Sequence, residues 1–282
     1  RAKGVPPVTT TDGPSGIRLS AYASLLPSGA ALAATWNTPL VRRLAAAHGQ
    51  EMVRKNTHVL LSPGMNIHRD PLCGRNFEYF SEDPLVTGLV AAAVIGGVQE
   101  AGVAACPKHF AANNQETNRN LNDSRVSERA LREIYLRGFQ IAITESAPRT
   151  IMTSYNKING VWSHYNDELC TQILRDEWGF TGTVVTDWWM QHDTDPDFPA
   201  VTDDAYRVRA QVDVFMPGGW FDHITGEFDQ VAQASLLTSL AQPDGISLGE
   251  VQRTARNVLQ LTLGLGTLRD TVTALSAGRD EA

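Results

Sequence analysis

The chain has 282 residues, of which 42% are hydrophobic and 20% are charged, and it carries a net charge of −7 at pH 7. This composition excludes an intrinsically disordered chain, and no apolar run reaches the ~20 residues of a membrane-spanning helix. An acidic chain without a basic block is also poorly suited to nucleic acid. We therefore expect one globular domain over residues 1–282, without nucleic-acid or membrane partners.

The three cysteines, Cys73, Cys106 and Cys170, are far apart and form no C-x-x-C pair. They predict reduced thiols, which are typical of a cytoplasmic protein. The sequence contains no H-E-x-x-H, P-loop or dinucleotide motif, so neither a metal nor another cofactor is expected. Its first residues, "RAKGVPPV", include no initiator methionine and no apolar signal segment, so the chain reads as part of something longer.

Short apolar runs alternate with helical patterns along the chain. The predicted strands cover residues 57–62, 103–106, 150–155, 182–187 and 212–216. These runs are continuously apolar, which indicates strands covered on both faces, as in a parallel sheet. Predicted helices have N-caps at Thr38, Ser127 and Ser247, and Pro39 suits a first helical position.

The apolar spacing also predicts which side of each helix is buried. The predicted inward residues are Leu40, Leu44, Ala47 and Met52 in the first helix, Leu131, Ile134, Tyr135 and Ile141 in the second, and Val251, Ala255, Val258 and Leu259 in the third. Strands alternating with such helices predict an α/β fold, either a barrel or an open doubly wound sheet.

Polar residues follow the predicted strands directly. Lys108 and His109 come after "VAACP", Tyr155 after "IMTS" and Asp187 after "VVT". In a barrel, the carboxyl ends of all the strands meet at one mouth. In an open sheet, the ligand binds at one switch point, so fewer strands contribute binding residues. The many contributing strands favour a (β/α)8-type barrel, which could be incomplete at its N-terminal end.

Asp187 is the leading candidate for chemistry because it ends a buried strand and is followed by Trp188 and Trp189. The alternative for Asp187 is a helix cap or a solvated loop carboxylate. A sugar ring has an apolar face and a polar rim, so an aromatic side chain beside a carboxylate indicates a sugar site. Trp188 fits that role, and Trp189, on the opposite side of an extended chain, is predicted to be core.

Three further segments could bind such a ligand. Lys108 and His109 can donate hydrogen bonds to vicinal hydroxyls and keep a nearby carboxylate ionised. Asp12 in "TDGPSGIR" could equally stabilise a turn, and Arg75 in "GRNFEYF" could be a stacked structural guanidinium.

Five motifs in order resemble the barrel domain of glycoside hydrolase family 3, in its β-glucosidase branch. They are "TDGPSGIR", "LLSPGMNIHRDPLCGRNFEYFSEDP", "CPKHFAANNQETNR", "IMTSYNKING" and "GFTGTVVTDWW". The resemblance runs from about residue 8 to about residue 266 and leaves 267–282 as a tail. The family's N-acetylglucosaminidase branch is disfavoured, because its D-S-H loop has no counterpart in "NNQETNRNLNDSR".

The resemblance implies a retaining exo-β-glycosidase that acts on terminal β-D-glucosyl residues of a β-glucoside or a short β-linked oligosaccharide. Asp187 would match the catalytic nucleophile. The other implied site residues are Asp12, Arg75, Lys108 and His109 on the sugar hydroxyls, Arg18 in support of them, Met152 and Tyr155 beside the nucleophile, and Trp188 as the aromatic wall.

The family's acid/base glutamate usually comes from an α/β sandwich domain, and nothing in this chain resembles that domain. "DWWM" and "AYRVRAQVDVFMPGG" look most like a subgroup in which the sandwich comes first, so the missing domain is expected in another segment or chain. Glu116, Glu133 and Glu145 are local alternatives for the acid; Glu116 is near a predicted strand end, whereas Glu133 and Glu145 fall in a helix pattern. A phosphorylase on the same scaffold and a non-catalytic sugar-binding fragment stay open, and the sequence is compatible with a homo-oligomer.

Overall fold

A parallel sheet forms the centre of the molecule, in a computed structural model that describes residues 5–18, 22–218, 220–221, 228–229 and 231–268. Within these residues six strands run parallel in two ladders of three. They are β1 (Thr10–Asp12), β2 (Val59–Leu61), β3 (Ala104–Ala105), β4 (Thr150–Met152), β5 (Thr183–Trp188) and β6 (Val214–Met216). The last five confirm the predicted strands, with shorter bounds.

The two ladders meet between β3 and β4. The Met152 N–H donates to the carbonyl of Pro107 at 3.0 Å, and the Phe110 N–H donates to the carbonyl of Met152 at 2.7 Å. The strands therefore follow one another in sequence order from β1 to β6. This order brings all their carboxyl ends to one side of the sheet.

Alternate residues of these strands enter two different hydrophobic clusters. One set packs with Leu265 and Leu268 inside the curved sheet and comprises Val59, Leu61, Ala104, Cys106, Met152 and Val185. The other set packs with the helices and comprises Leu60, Ala105, Ile151 and Val184. Both faces are buried, which explains why the strands read as continuous apolar runs.

Helices and short loop elements connect the strands. The helices are α1 (Gly29–Ala33), α2 (Thr38–Arg54), α3 (Pro84–Glu100), α4 (Glu128–Ala130), α5 (Arg137–Ser146), α6 (Asp203–Arg209), α7 (Val231–Leu240) and α8 (Leu248–Gly264), with π-helical segments at Leu131–Tyr135 and Glu168–Glu177 and 3₁₀ turns at Ser163–Tyr165 and Gly266–Leu268. Short strands at Asp123–Ser124, Lys157–Ile158 and Val161–Trp162 form one small sheet, and Trp220–Phe221 pairs with Phe228–Asp229.

Two of the three predicted helix caps are confirmed. The Ser127 hydroxyl accepts a hydrogen bond from the Ala130 N–H at 3.3 Å, and Ser247 forms a capping box with Glu250. The prediction for α2 was wrong by one residue. The cap there is Asn37, whose side chain accepts from the Leu40 N–H at 3.0 Å.

The predicted inner faces of the helices were partly wrong. Ile134 is 40% exposed because the helix widens to a π-turn there, and this shifts the phase of the residues that follow. Ala255 and Leu259 are exposed, whereas α8 buries Asn257 and Thr262.

The predicted inner face of helix α2 was also partly wrong. Leu40 and Ala47 are exposed, and the helix buries Val41, Ala45, His48, Gly49 and Met52. The close contact between α2 and α3 determines which residues of α2 are buried. A Cβ at Gly97 of α3 would lie only 2.3 Å from the carbonyl oxygen of Arg42 of α2.

The described residues thus form an α/β fold with a curved parallel sheet, and an eight-stranded closed barrel stays a prediction. Leu268 is buried at the amino-end side of the sheet interior, so packing continues past residue 266, and 269–282 lie outside the described residues. No helix among the described residues is long and apolar enough to cross a bilayer.

Candidate active site

An open cavity of about 420 Å³ lies at the carboxyl ends of the strands. Its lining residues are Thr10, Thr11, Asp12, Arg18, Leu61, Arg75, Phe77, Glu78, Lys108, His109, Arg119, Met152, Asp187 and Trp188. All the predicted site residues therefore line this cavity except Tyr155, which contacts Asp187 from behind. They are separated by up to 176 positions in sequence (188 − 12), and the parallel sheet brings them together.

Asp187 is held by three neighbours at the end of β5. Its Oδ1 accepts from the Trp188 N–H at 2.8 Å, its Oδ2 lies 3.5 Å from His109 Nε2, and Tyr155 is close enough to lower the pKa of the carboxyl group. These contacts fix the carboxylate in one orientation, with only 8% of the residue exposed.

Burial raises the pKa of Asp187 above the ordinary value for an aspartate. The Trp188 N–H, Lys108, Tyr155 and Arg75 each lower it, but together they do not offset the loss of solvent. The expectation that nearby cations would leave the ionised form favoured was therefore wrong for the net pKa, although Lys108 and Arg75 act in the expected direction. A partly desolvated carboxylate of raised pKa is a stronger base and nucleophile once it is ionised.

His109 is neutral and has a defined tautomer. Burial, followed by the charges of Arg75, Lys108 and Arg119, lowers its pKa well below the ordinary value. Burial raises the pKa of Tyr79, so that hydroxyl keeps its proton and donates to His109 Nδ1, at 3.2 Å. The ring hydrogen of His109 therefore sits on Nε2, which faces Asp187.

The main chain of His109 is fixed by a side chain that sequence reasoning missed. Asn66 donates from Nδ2 to the His109 carbonyl and accepts from the His109 N–H, both at 2.9 Å. Asn66 is 2% exposed. This amide locks the strand-end segment that carries both Lys108 and His109.

Asp12, which is half-buried, forms a polar pair with the buried Lys108 at the cavity. Lys108 Nζ lies 2.7 Å from Asp12 Oδ1, and the exposed Arg18 lies 3.1 Å from Oδ2. Burial alone would raise the pKa of Asp12, but Lys108 and Arg18 outweigh it and lower that pKa. An ionised acceptor beside a donor cation can bind two adjacent hydroxyls of one ring.

Arg75 both lines the cavity and packs into the protein. Its guanidinium pairs with Glu78, and it lies 5.9 Å from the centre of the Tyr79 ring. Arg75 can therefore be both a stacked structural guanidinium and a ligand-binding residue of the cavity. Glu78, which sequence reasoning did not single out, neutralises the buried charge and leaves the guanidinium facing the cavity.

The two tryptophans after Asp187 differ in exposure. Trp188 is half-buried and lines the cavity, as predicted. Trp189 is 61% exposed, so its prediction as core was wrong. The chain turns at Trp189, where φ is +54°, and the alternation of an extended strand therefore ends at that residue.

Arg119 is a second residue that sequence reasoning missed. It lines the cavity, and its guanidinium carbon lies 4.3 Å from the centre of the Tyr155 ring. It comes from a loop, eleven residues after Lys108 (119 − 108), and no strand end marks its position. Its only sequence signal was its place in the "NNQETNR" motif.

The carboxylates that line the cavity have different roles. Asp12 is paired with Lys108, and Glu78 is paired with Arg75. Asp187 has no such cation within salt-bridge distance among the described residues. The described lining therefore offers a nucleophile and hydroxyl-binding groups. No cluster of three potential metal ligands occurs in the described part of the chain.

Comparisons with known proteins agree with this geometry. A model of the glycosyl hydrolase family 3 N-terminal domain matches residues 1–220. A β-glucosidase of Ruminococcus albus is 45% identical over 99% of this chain, and an exo-α-(1→6)-L-arabinopyranosidase of Bifidobacterium longum is 44% identical over 74%. The structure of β-glucosidase 3B from Thermotoga neapolitana in complex with glucose is 40% identical and superposes over 96% of this chain with a TM-score of 0.85.

The chain is much shorter than these proteins. It spans 28% of the Ruminococcus albus sequence, 31% of the Bifidobacterium longum sequence and 38% of the Thermotoga neapolitana chain. The similarity therefore covers the sheet and its cavity, and leaves most of each relative without a counterpart here.

Proposed function

We propose, since this chain belongs to glycosyl hydrolase family 3, that the whole protein is a retaining β-glucosidase in which Asp187 is the catalytic nucleophile. The observation that carries the proposal is the position of Asp187, a buried carboxylate at a strand end that faces a cavity lined by hydroxyl-binding groups. Trp188 beside it offers an apolar face for the sugar ring.

The proposed reaction has two steps. Asp187 Oδ2 attacks the anomeric carbon, the bond to the leaving oxygen breaks, and an acid protonates that oxygen, so a glycosyl ester remains on Asp187. In the second step a water loses its proton to the same group, attacks the anomeric carbon and releases Asp187 as a carboxylate. Two inversions give overall retention.

The residues around Asp187 support the first step. His109 Nε2 lies 3.5 Å from the carboxylate and Tyr155 lies beside it, so both restrict its orientation. Lys108 and Arg75 favour its ionised form against the cost of burial. A carboxylate held in this way loses little entropy when it attacks.

The acid/base group is assigned to a part of the protein outside this chain. The local glutamates are poor candidates: Glu116 is paired with Arg119, Glu133 is paired with Arg129 on the surface, and Glu145 is exposed on α5. A retaining enzyme needs its second carboxyl about 5–5.5 Å from the nucleophile. The larger size of the relatives leaves room for a domain that supplies it.

The sugar is proposed to be a terminal β-D-glucosyl residue. Asp12 and Lys108 supply an acceptor and a donor 2.7 Å apart, a spacing suited to neighbouring hydroxyls. A relative at 44% identity is named for L-arabinopyranosides, so the choice of sugar is a specific point to measure.

The test uses the full-length protein and p-nitrophenyl β-D-glucoside, followed by proton NMR. We expect β-glucose as the first product, because two inversions retain the anomeric configuration. First-formed α-glucose would exclude retention. A higher kcat/KM for p-nitrophenyl α-L-arabinopyranoside would reassign the sugar, and glucose 1-phosphate released only in the presence of phosphate would indicate a phosphorylase.

A further inference from the structure

Two chains of contacts lead away from Asp187, and they end on the same residue. The first runs from Asp187 to His109, from His109 to Tyr79 at 3.2 Å, and from Tyr79 to Asn113, also at 3.2 Å. Tyr79, His109 and Asn113 are each at most 1% exposed. This arm sets which nitrogen of His109 carries the hydrogen.

The second arm passes through Tyr155. Tyr155 is close enough to Asp187 to lower the pKa of that carboxyl group, and the Arg119 guanidinium lies 4.3 Å from the centre of the Tyr155 ring. A cation over an aromatic face restrains the ring and favours one orientation. Arg119 therefore fixes the direction from which the hydroxyl approaches the nucleophile.

Glu116 joins the two arms. Its Oε1 accepts from Asn113 Nδ2 at 3.0 Å, and its Oε2 accepts from Arg119 at 2.9 Å. Both partners are donors, so the position requires a side chain with an acceptor at both ends, and the two oxygens of a carboxylate meet that need. Its side chain is 21% exposed.

We propose that Glu116 is a positioning residue for the nucleophile, which holds His109 through Asn113 and Tyr79, and Tyr155 through Arg119. The inference rests on the proposed function, because it assigns Glu116 a part in that reaction. It also gives Glu116 a role different from acid catalysis, since both of its oxygens are already engaged. Glu116 acts on Asp187 only through other side chains.

The test compares Glu116→Gln with Glu133→Gln in the full-length protein. The oxygen of the glutamine amide can accept from either Asn113 or Arg119. The amide NH₂ then faces the remaining donor, and that hydrogen bond is lost. Glu133→Gln removes the same charge from a surface pair, at 3.1 Å from Arg129, and is the matched control. The substrates are 2,4-dinitrophenyl β-D-glucoside, with an activated leaving group, and phenyl β-D-glucoside, without one.

We expect Glu116→Gln to lower kcat/KM for both substrates by the same factor, about 10- to 100-fold, because a small misplacement of reacting groups has effects of that size. The acid limb of its pH profile should move to higher pH, since the Tyr155 contact that lowers the pKa of Asp187 is weakened. Glu133→Gln should match wild type in both measurements.

Other outcomes overturn the inference. A loss confined to phenyl β-D-glucoside would make Glu116 an acid catalyst, and unchanged kcat/KM with a lower melting temperature would make it structural only. If wild type hydrolyses neither glucoside, the proposed function fails, and a crystal structure of the Glu116→Gln protein then decides on the positioning role alone. Arg119 still 4.3 Å from Tyr155, with Asn113 still bonded to Tyr79, would refute that role.

Discussion

At the scale of single residues, burial and charge act on Asp187 in opposite directions. Burial raises its pKa, and Lys108 is the largest charged contribution that lowers it. Lys108 is itself buried, with 5% of its side chain exposed, so solvent screens its charge weakly. The largest charged contribution to ionising Asp187 therefore comes from a lysine that also pairs with Asp12.

We expect Lys108→Met to move the acid limb of kcat/KM to higher pH. Without the lysine charge the pKa of Asp187 rises further, so a higher pH is needed to ionise it. The measurement is a pH profile of the full-length protein on an activated aryl β-glucoside. Lys157→Met is the control, because Lys157 lies over the Trp162 ring. An acid limb at the wild-type position, or at lower pH, would contradict this electrostatic role.

The Asp12–Lys108 pair leads to a prediction about substrate choice. A site built to hydrogen-bond a hydroxyl rejects an analogue that lacks it, roughly 10⁴-fold in favourable cases, because buried polar groups are left unpaired. We expect an aryl β-glucoside to have a much higher kcat/KM than its 4-deoxy analogue. The full-length protein is assayed with both. Equal values would show that Asp12 and Lys108 do not bind adjacent hydroxyls.

At the scale of elements, one buried carboxylate ties four segments together. Asp213, just before β6, accepts from the Val184 N–H of β5 at 2.9 Å, from Arg175 of the π-helical segment at 2.7 Å and from Asn257 of α8 at 2.9 Å. Its side chain is fully buried. The strand that carries Asp187 is thereby fixed against its neighbours.

We expect Asp213→Ala to destabilise the protein by about 3–5 kcal/mol, because it leaves a buried arginine without its anion. Glu100→Ala, which removes one partner of an exposed pair with Arg42, should cost at most about 1 kcal/mol. Denaturant unfolding of both variants measures the difference. Similar costs for the two would mean that Asp213 contributes no more than a surface charge.

The strands and helix α8 show what the sequence could and could not predict. The strands were predictable because both of their faces are apolar. The inner face of α8 was not, since Asn257 is buried there to bind Asp213 rather than to fill an apolar core. Asp187 and Lys108 follow strands and were found, whereas Asn66, Arg119 and Tyr79 lie on loops. Their roles depend on contacts between segments far apart in sequence.

At the scale of the whole molecule, the cavity is open, and the described chain supplies one side of the proposed active site. The chain spans 28% of one relative and 38% of a related structure. A nucleophile without its acid can react only with substrates whose leaving groups need no protonation. The proposal therefore concerns a full-length protein, and activated substrates are the ones that isolate the role of Asp187.

The most direct measurement is azide rescue of Asp187→Gly in the full-length protein, with 2,4-dinitrophenyl β-D-glucoside as substrate. The variant, like Asp187→Asn, should lose at least roughly 10⁴-fold in kcat. Azide entering the vacated space attacks from the side of the missing carboxylate, so the predicted product is the α-glucosyl azide, identified by NMR. A β-glucosyl azide, or near-normal turnover by Asp187→Asn, would contradict the assignment of Asp187 as the nucleophile.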